Sequence, residues 1–217
     1  MTWNFAPTGP AAQQTAATAA TVPVITTERL RLRAPNLSDW PAYREVLLSD
    51  RAAFMGGPFT EEDAFADFCQ GVAGWMLRGA GMWTITLAGD ETALGWLFLW
   101  QEMGDPEPEM GWILIKAAEG KGYALEAAKA VLPMAVALFG KGGFVSYIDD
   151  GNDASARLAL RLGAVRDPKA EARLDEPGLR VYRHVLGGLD AGADVPRFGK
   201  TAGSQIEDAK KTSETGE

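Results

Sequence analysis

The stretch Glu109-Met-Gly-Trp-Ile-Leu-Ile-Lys-Ala-Ala-Glu-Gly-Lys-Gly-Tyr-Ala-Leu-Glu-Ala-Ala-Lys129 divides into an apolar run, a short glycine turn and a helical pattern. Glycines at a strand-to-helix junction let the chain turn tightly and leave the helix's first N–H groups open to an anion. This order predicts a strand over 110–115, a turn at Gly120-Lys121-Gly122 and a helix from about 122 to 139, with a pyrophosphate-bearing ligand at the turn. Spacing excludes two better-known phosphate loops. A P-loop needs Lys-Ser/Thr after its last glycine, and the dinucleotide fingerprint needs a third glycine where Leu125 stands.

Upstream, Glu28-Arg-Leu-Arg-Leu-Arg-Ala alternates apolar and basic residues, the period of a half-exposed strand. A helix follows from Ser38 or Asp39 as cap, and a second from Thr60 with a stripe of Phe65, Phe68, Val72, Trp75 and Met76. Residues 82–88 and 93–100 flank Gly89-Asp90-Glu91-Thr92 as a hairpin. Downstream come a strand over 144–148, a helix capped by Asn152 and ended at Gly163, and a last strand over 179–186. The order β-α-α-β-β-β-α-β-α-β predicts an α/β (α+β) mixed sheet with helices packed on it. Pro133 lies inside the central helix, where a kink is expected.

At 217 residues and 47% hydrophobic content the chain suits one domain with a substantial core. Residues 1–22, Ala/Thr-rich with Pro and without charge, predict a disordered segment able to turn helical on a partner. Residues 187–217 predict a flexible polar tail, leaving the domain at 23–186. The formal charge of −8 argues against nucleic acid or an anionic membrane as general partners. No run approaches a membrane span and no basic leader is visible, so a soluble cytoplasmic protein is expected. The single Cys69 forms no intrachain disulfide and is expected to be a buried structural thiol. No His/Cys/acid grouping has metal-ligand spacing, so no metal is expected. Oligomeric state is not legible; a dimer is compatible.

Gly111-Trp112 in a strand, Glu119-Gly-Lys-Gly-Tyr-Ala-Leu-Glu126, and Asn152-Asp-Ala-Ser155 with Leu162-Gly163, in that order, resemble the GCN5-related N-acetyltransferase (GNAT) superfamily. The opening Thr27-Glu-Arg-Leu-Arg-Leu-Arg is similar to its RimJ/RimL-like branch, and the resemblance covers nearly all of 24–186. It implies a GNAT-like, mostly antiparallel sheet, splayed at its central strands to admit the pantetheine arm of acetyl-CoA. The amides of Glu119, Gly120, Lys121, Gly122, Tyr123 and Ala124 would bind the pyrophosphate, Asn152 the arm, and Ile113, Leu114 and Ile115 the strand side, with an amide near Ile113 or Leu114 meeting the oxyanion. The activity implied is acetyl transfer from acetyl-CoA to a primary amine, a protein N-terminus or a small molecule, by direct attack. The acidic charge suits a cationic acceptor. The alternative is a catalytically silent GNAT-fold module that binds acyl-CoA or another protein.

The chain departs from the family pattern at two places, the glycine turn and the helix after Asn152. Ala117 stands where the family usually has Gln or Arg, and Glu119 adds a negative charge beside the turn. Ala159 replaces the tyrosine that in much of the superfamily protonates the leaving thiolate, so Ser155 is the remaining candidate there, directly or through water. Glu109, on the central strand, is the candidate base that takes the amine's proton through water, with Glu102 and Glu107 as weaker alternatives. His184 alternates with apolar residues on the terminal strand, which predicts an exposed structural position.

Overall fold

The computed structural model describes residues 6–140, 143–174 and 176–185. The tail expected over 187–217 lies outside the described residues. Strands β1 (Ile25–Thr26), β2 (Leu30–Arg33), β3 (Met82–Leu87), β4 (Gly95–Trp100), β5 (Glu109–Leu114), β6 (Val145–Asp149), β7 (Ala164–Arg166) and β8 (Leu179–His184) form one sheet in the order β1-β2-β3-β4-β5-β6-β8-β7. Every neighbouring pair is antiparallel except β5 with β6. The helices are α1 (Gly9–Ala19), α2 (Trp40–Leu47), α3 (Glu61–Arg78), α4 (Tyr123–Phe139), α5 (Asp153–Arg161) and α6 (Pro168–Leu174). The expected mixed, mostly antiparallel sheet is therefore present; β7, α6, α1 and the short β1 are additions to the predicted order.

Strand alternation decides what packs where. Along β4, Leu97 and Leu99 join the cluster under α4, while Trp96 and Phe98 join the one under α2 and α3. α4 is rich in alanine, the strongest helix former, and lays Ala127, Ala128, Val131, Leu132, Ala135 and Val136 onto the first cluster. It continues through Pro133 to Phe139, so the lost hydrogen bond does not end it. On the other face Tyr43 and Trp96 meet edge to face at 4.7 Å, and Phe68 packs on Tyr43 at 5.3 Å. The sheet is covered on both sides, which fixes the plane in which the central strands lie.

Several local expectations are corrected. Asp39 precedes α2 without capping it, because its carboxylate is committed to Arg33 at 2.8 Å, Thr84 at 2.8 Å and the Asn36 amide at 2.9 Å. Thr60 does cap α3, accepting from the Asp63 amide. Met76 leaves the apolar stripe of α3 and is 79% exposed. Cys69 is exposed on α3 rather than buried, and partial desolvation raises its thiol pKa, so it is a weak nucleophile. Residues 9–19, where disorder was expected, form α1; alanine propensity and Pro10 in the first turn account for the helix, and none of its residues is buried. Among the described residues no helix is long and apolar enough to cross a membrane.

Candidate functional site

The central opening comes from a mismatch in pairing. β5 pairs with β4 from Glu109 to Leu114, and β6 pairs with β8 from Val145 to Asp149, but β5 and β6 share the single register pair Glu109↔Val145. Beyond it the two strands part. Side chains stitch the vertex: Ser146 Oγ donates to Met110 O at 2.5 Å, and the Tyr147 amide donates to Glu109 Oε1 at 3.4 Å. A cleft of about 1050 Å³ opens from this point, walled by β5, β6, the glycine turn, α5 and residues 51–59. The partly buried Gly111, Trp112, Ile113 and Leu114 form its inner edge.

Backbone parity decides which amides face the opening. The Ile115 amide donates to Leu94 O on the β4 side, whereas Val145 donates to Pro108 O on the β6 side. Alternate residues of a strand point their N–H groups the same way, so that of Ile113 faces β4 and those of Trp112 and Leu114 face the cleft. Leu114 is thus the better placed of the two amides suggested for an oxyanion. Ile115 and Lys121 do not line the cleft: Ile115 packs under α2 and α3, and Lys121 contributes its carbonyl to Arg29 at 3.1 Å.

The turn between β5 and α4 requires its glycines. Gly120 and Gly122 have φ of 72° and 80°, left-handed values that cost other residues about 1 kcal/mol or more. Gly122 is the N-cap of α4 and carries no side chain to occupy the helix's first amides. Glu119, Gly120, Gly122, Tyr123 and Ala124 all line the cleft. Arg29, in the bend just before β2, clasps the turn, bonding Glu126 and lying 4.8 Å from the Tyr123 ring centroid. Glu119 accepts from Lys116 at 2.9 Å and from Arg51 at 2.5 Å, and these bonds, that to Lys116 chiefly, hold its carboxyl below the usual range. Its charge is therefore already met by two cations, an arrangement invisible in the spacing of the motif.

On the opposite wall Asn152 caps α5, its Oδ1 accepting from the Ser155 amide at 3.2 Å. That leaves its NH₂ group free of the cap. Ser155 Oγ accepts from Trp112 Nε1 at 3.3 Å, a bond that ties α5 to β5 across the opening and leaves the Ser155 hydroxyl hydrogen to point elsewhere. Ala159 is fully buried. No polar group stands there.

Glu109 sits at the vertex and lines the cleft. Burial, chiefly, and then the nearby Asp105 carboxylate push its pKa up to about 8; the Tyr147 amide opposes the shift. Asp67, bonded by Tyr43 Oη, and Glu102 also line the cleft, and burial raises both. Asp67 lay in a plain amphipathic helix in the sequence, and no local signal marked it. Glu107 is withdrawn from chemistry by two bonds to Arg183, at 2.7 and 2.8 Å, which lower its pKa.

His184 is fully buried, not exposed as its alternation suggested, because β8 lies inside the sheet between β6 and β7. It stacks on Phe144 at 5.0 Å and its Nε2 meets Ser146 Oγ at 3.0 Å. Burial pushes its pKa down to about 4, so it is neutral at pH 7 and supports the vertex through Ser146. Among the described residues no group of three or more His, Cys, Asp or Glu is placed to hold a metal ion.

Comparison with known proteins gives a consistent answer. The family model described as acetyltransferase (GNAT) domain matches residues 29–165. An N-acetyltransferase of Bacillus subtilis strain 168, YnaD, itself described as uncharacterized, is 28% identical over 145 residues, spanning 66% of this chain and 83% of that one. A crystal structure of an acetyltransferase from Agrobacterium tumefaciens C58 aligns with a TM-score of 0.71 at 35% identity, covering 76% of this chain and 95% of the other. The RimL ribosomal L7/L12 alpha-N-protein acetyltransferase in complex with coenzyme A shares the fold, with a TM-score of 0.56 at 20% identity over 76% of this chain and 98% of that one.

Proposed function

This chain belongs to the GNAT acetyltransferase family, and from that premise we propose that it transfers an acetyl group from acetyl-CoA to a primary amine within a ternary complex. The observation that carries this reading is the parting of β5 and β6 beyond Glu109↔Val145, with the Gly120–Gly122 turn at one lip and Asn152 at the other. The turn's amides and the start of α4 would hold the pyrophosphate, an arrangement whose donors do not titrate. The pantetheine arm would lie along the β6-facing side of β5 and bond to the Asn152 NH₂.

The chemistry follows from the residues at the vertex. Glu109, ionised, takes one proton from the ammonium through water. The neutral amine attacks the thioester carbonyl, forming the C–N bond, and the Leu114 N–H donates to the oxygen that gains charge. Collapse breaks the C–S bond, the nitrogen's second proton passes to the departing thiolate to give the thiol and a neutral amide, and the Ser155 hydroxyl, turned away from Trp112, donates a hydrogen bond to that sulfur. A base near 8 is matched to an α-amino group near ~8 more closely than to a lysine near ~10. Asp67 and Glu102 give the acceptor side a negative field that suits an ammonium.

Titration calorimetry with acetyl-CoA, followed by thiol release over a panel of amines, tests the reading. Saturable binding and amine-dependent release are expected. Absence of heat at high micromolar acetyl-CoA would reject the cleft as the donor site, and binding without release on any amine would leave a silent acyl-CoA-binding module.

A further inference from the structure

Ala117 gives the glycine turn only an exposed methyl, and the segment's own lysines, Lys116 bonded to Glu119 and Lys121, do not line the cleft, yet a guanidinium reaches the turn from elsewhere. Arg51 lies at the start of the 3₁₀ segment Asp50–Met55, its amide donating to the Ser49 hydroxyl at 3.3 Å. Its Nη2 donates to Leu114 O at 2.8 Å and to Glu119 Oε1 at 2.5 Å. Leu114 O lies on the cleft-facing side of β5, so the guanidinium sits where the strand's open edge meets the turn. Both bonds use one nitrogen, and Nε is buried without an acceptor. A guanidinium has five N–H donors in a fork that matches phosphate oxygens; Nε is enclosed and Nη2 is committed, so the donors that this side chain, 31% exposed on the cleft wall, keeps for a ligand are those of Nη1.

The charge count points the same way. Glu119 is shared between Arg51 and Lys116, leaving the trio with one net positive charge beside the turn rather than the negative charge that the sequence suggested. The same 3₁₀ segment reaches the far wall, where Phe54 Cε1 would lie 3.9 Å from a Cβ on Gly151. It therefore bridges the two lips of the cleft.

We infer that Arg51 is a phosphate-binding residue for the acyl donor, held at the turn by Glu119 until the donor's pyrophosphate arrives, and that it replaces the contact Ala117 does not make. The inference rests on the acetyl-CoA reading above. Arg51 turns its uncommitted donors to the pyrophosphate and Glu119 remains with Lys116. No bond is made or broken in this exchange apart from hydrogen bonds.

Calorimetry with acetyl-CoA and with 3′-dephospho-CoA on four full-length proteins tests it: wild type, Arg51→Ala, Arg51→Lys and Glu119→Gln. Arg51→Ala is expected to weaken Kd about ten- to thirtyfold, the scale of a charge-assisted bond. Arg51→Lys should recover part of that, and the losses should be equal for the two ligands because the 3′-phosphate is not the group contacted. Glu119→Gln should tighten Kd about two- to fivefold, since the competing carboxylate is neutralised. Wild-type affinity in Arg51→Ala overturns the inference. So does a Glu119→Gln variant that binds as weakly as Arg51→Ala, which is the signature of a structural strut. If Arg51→Ala fails to fold, the Glu119→Gln and Arg51→Lys arms decide. Failure of the acetyl-CoA reading looks different, because then the wild type itself gives no heat.

Discussion

Replacing Glu109 by Gln should remove most of the activity and at the same time make the ligand-free protein more stable. The ordinary value of 4.5 for this carboxyl rises to about 8, first through burial and then through Asp105. Ionising it at the vertex therefore costs on the order of 3 kcal/mol at pH 7 and more above pH 8. Below about 4.5 the carboxyl is protonated folded or unfolded and has no effect. Between 4.5 and 8 the unfolded chain ionises while the folded one keeps its proton, so stability falls as pH rises. Gln keeps the acceptor for the Tyr147 amide and never ionises. Urea unfolding of wild type and variant should coincide near pH 4 and separate in favour of the variant up to pH 8.

Activity should run the other way. At pH 7 roughly a tenth of Glu109 is ionised, so the wild-type rate with saturating acetyl-CoA should climb about tenfold per pH unit and level near 8. Glu109→Gln should lower kcat about 100-fold and flatten that climb. Asp105→Asn should move the midpoint to lower pH, because a neighbouring negative charge is gone. Full activity of Glu109→Gln across pH 6 to 9 would refute the base role, and coincident stabilities at pH 8 would refute the burial argument beneath it.

Three further outcomes are expected. Gly122→Ala should destabilise by about 1 kcal/mol in thermal melts because φ is 80°, and should weaken acetyl-CoA binding, whereas Gly95→Ala, whose Cβ would lie 2.2 Å from Ile113 O, should lose several-fold more stability. His184 is depressed to about 4 from 6.5, so the neutral ring contributes stability above pH 6.5 that is lost as pH falls toward 4; the unfolding free-energy gap between wild type and His184→Gln should narrow by about 3 kcal/mol from pH 7 to 4. Deleting residues 1–20 should leave the melting temperature unchanged, because α1 buries nothing, while Val22 and the Pro23 carbonyl that accepts from Trp83 Nε1 are retained; a clear loss of stability would move the proposed domain boundary upstream.

What could be read from the sequence was what lies close together along the chain. The β5–turn–α4 segment, the β3–β4 hairpin and the Asn152 cap were legible because period-2 alternation, glycines at left-handed positions and a capping side chain are local signals. The exposure of His184 was misread because alternation shows that a strand has two faces but not whether a further strand covers its edge. β7, three residues long, supplied that cover and is too short to carry a period. Asp39 looked like a cap until Arg33 and Thr84 claimed its oxygens through the folded sheet.

The cleft gathers features that a purely structural core would avoid. A parallel ladder stops after one register pair, a carboxyl is held near its own titration point, and a guanidinium leaves Nε unbonded. Each costs stability, and the compact clusters under α4 and under α2 and α3 offset them. Lining one cleft makes them interpretable together. A strand edge with cleft-facing N–H groups can take a pantetheine amide, a reluctant carboxylate can take a proton from an amine of similar pKa, and spare guanidinium donors can take a phosphate. A fold selected for stability alone would have zipped β6 onto β5 and filled the cleft with side chains. The separation begins at Glu109 and runs toward the glycine turn, so the proposed contacts would fall along one line: acceptor at the vertex, thioester beside Leu114, phosphates at Arg51.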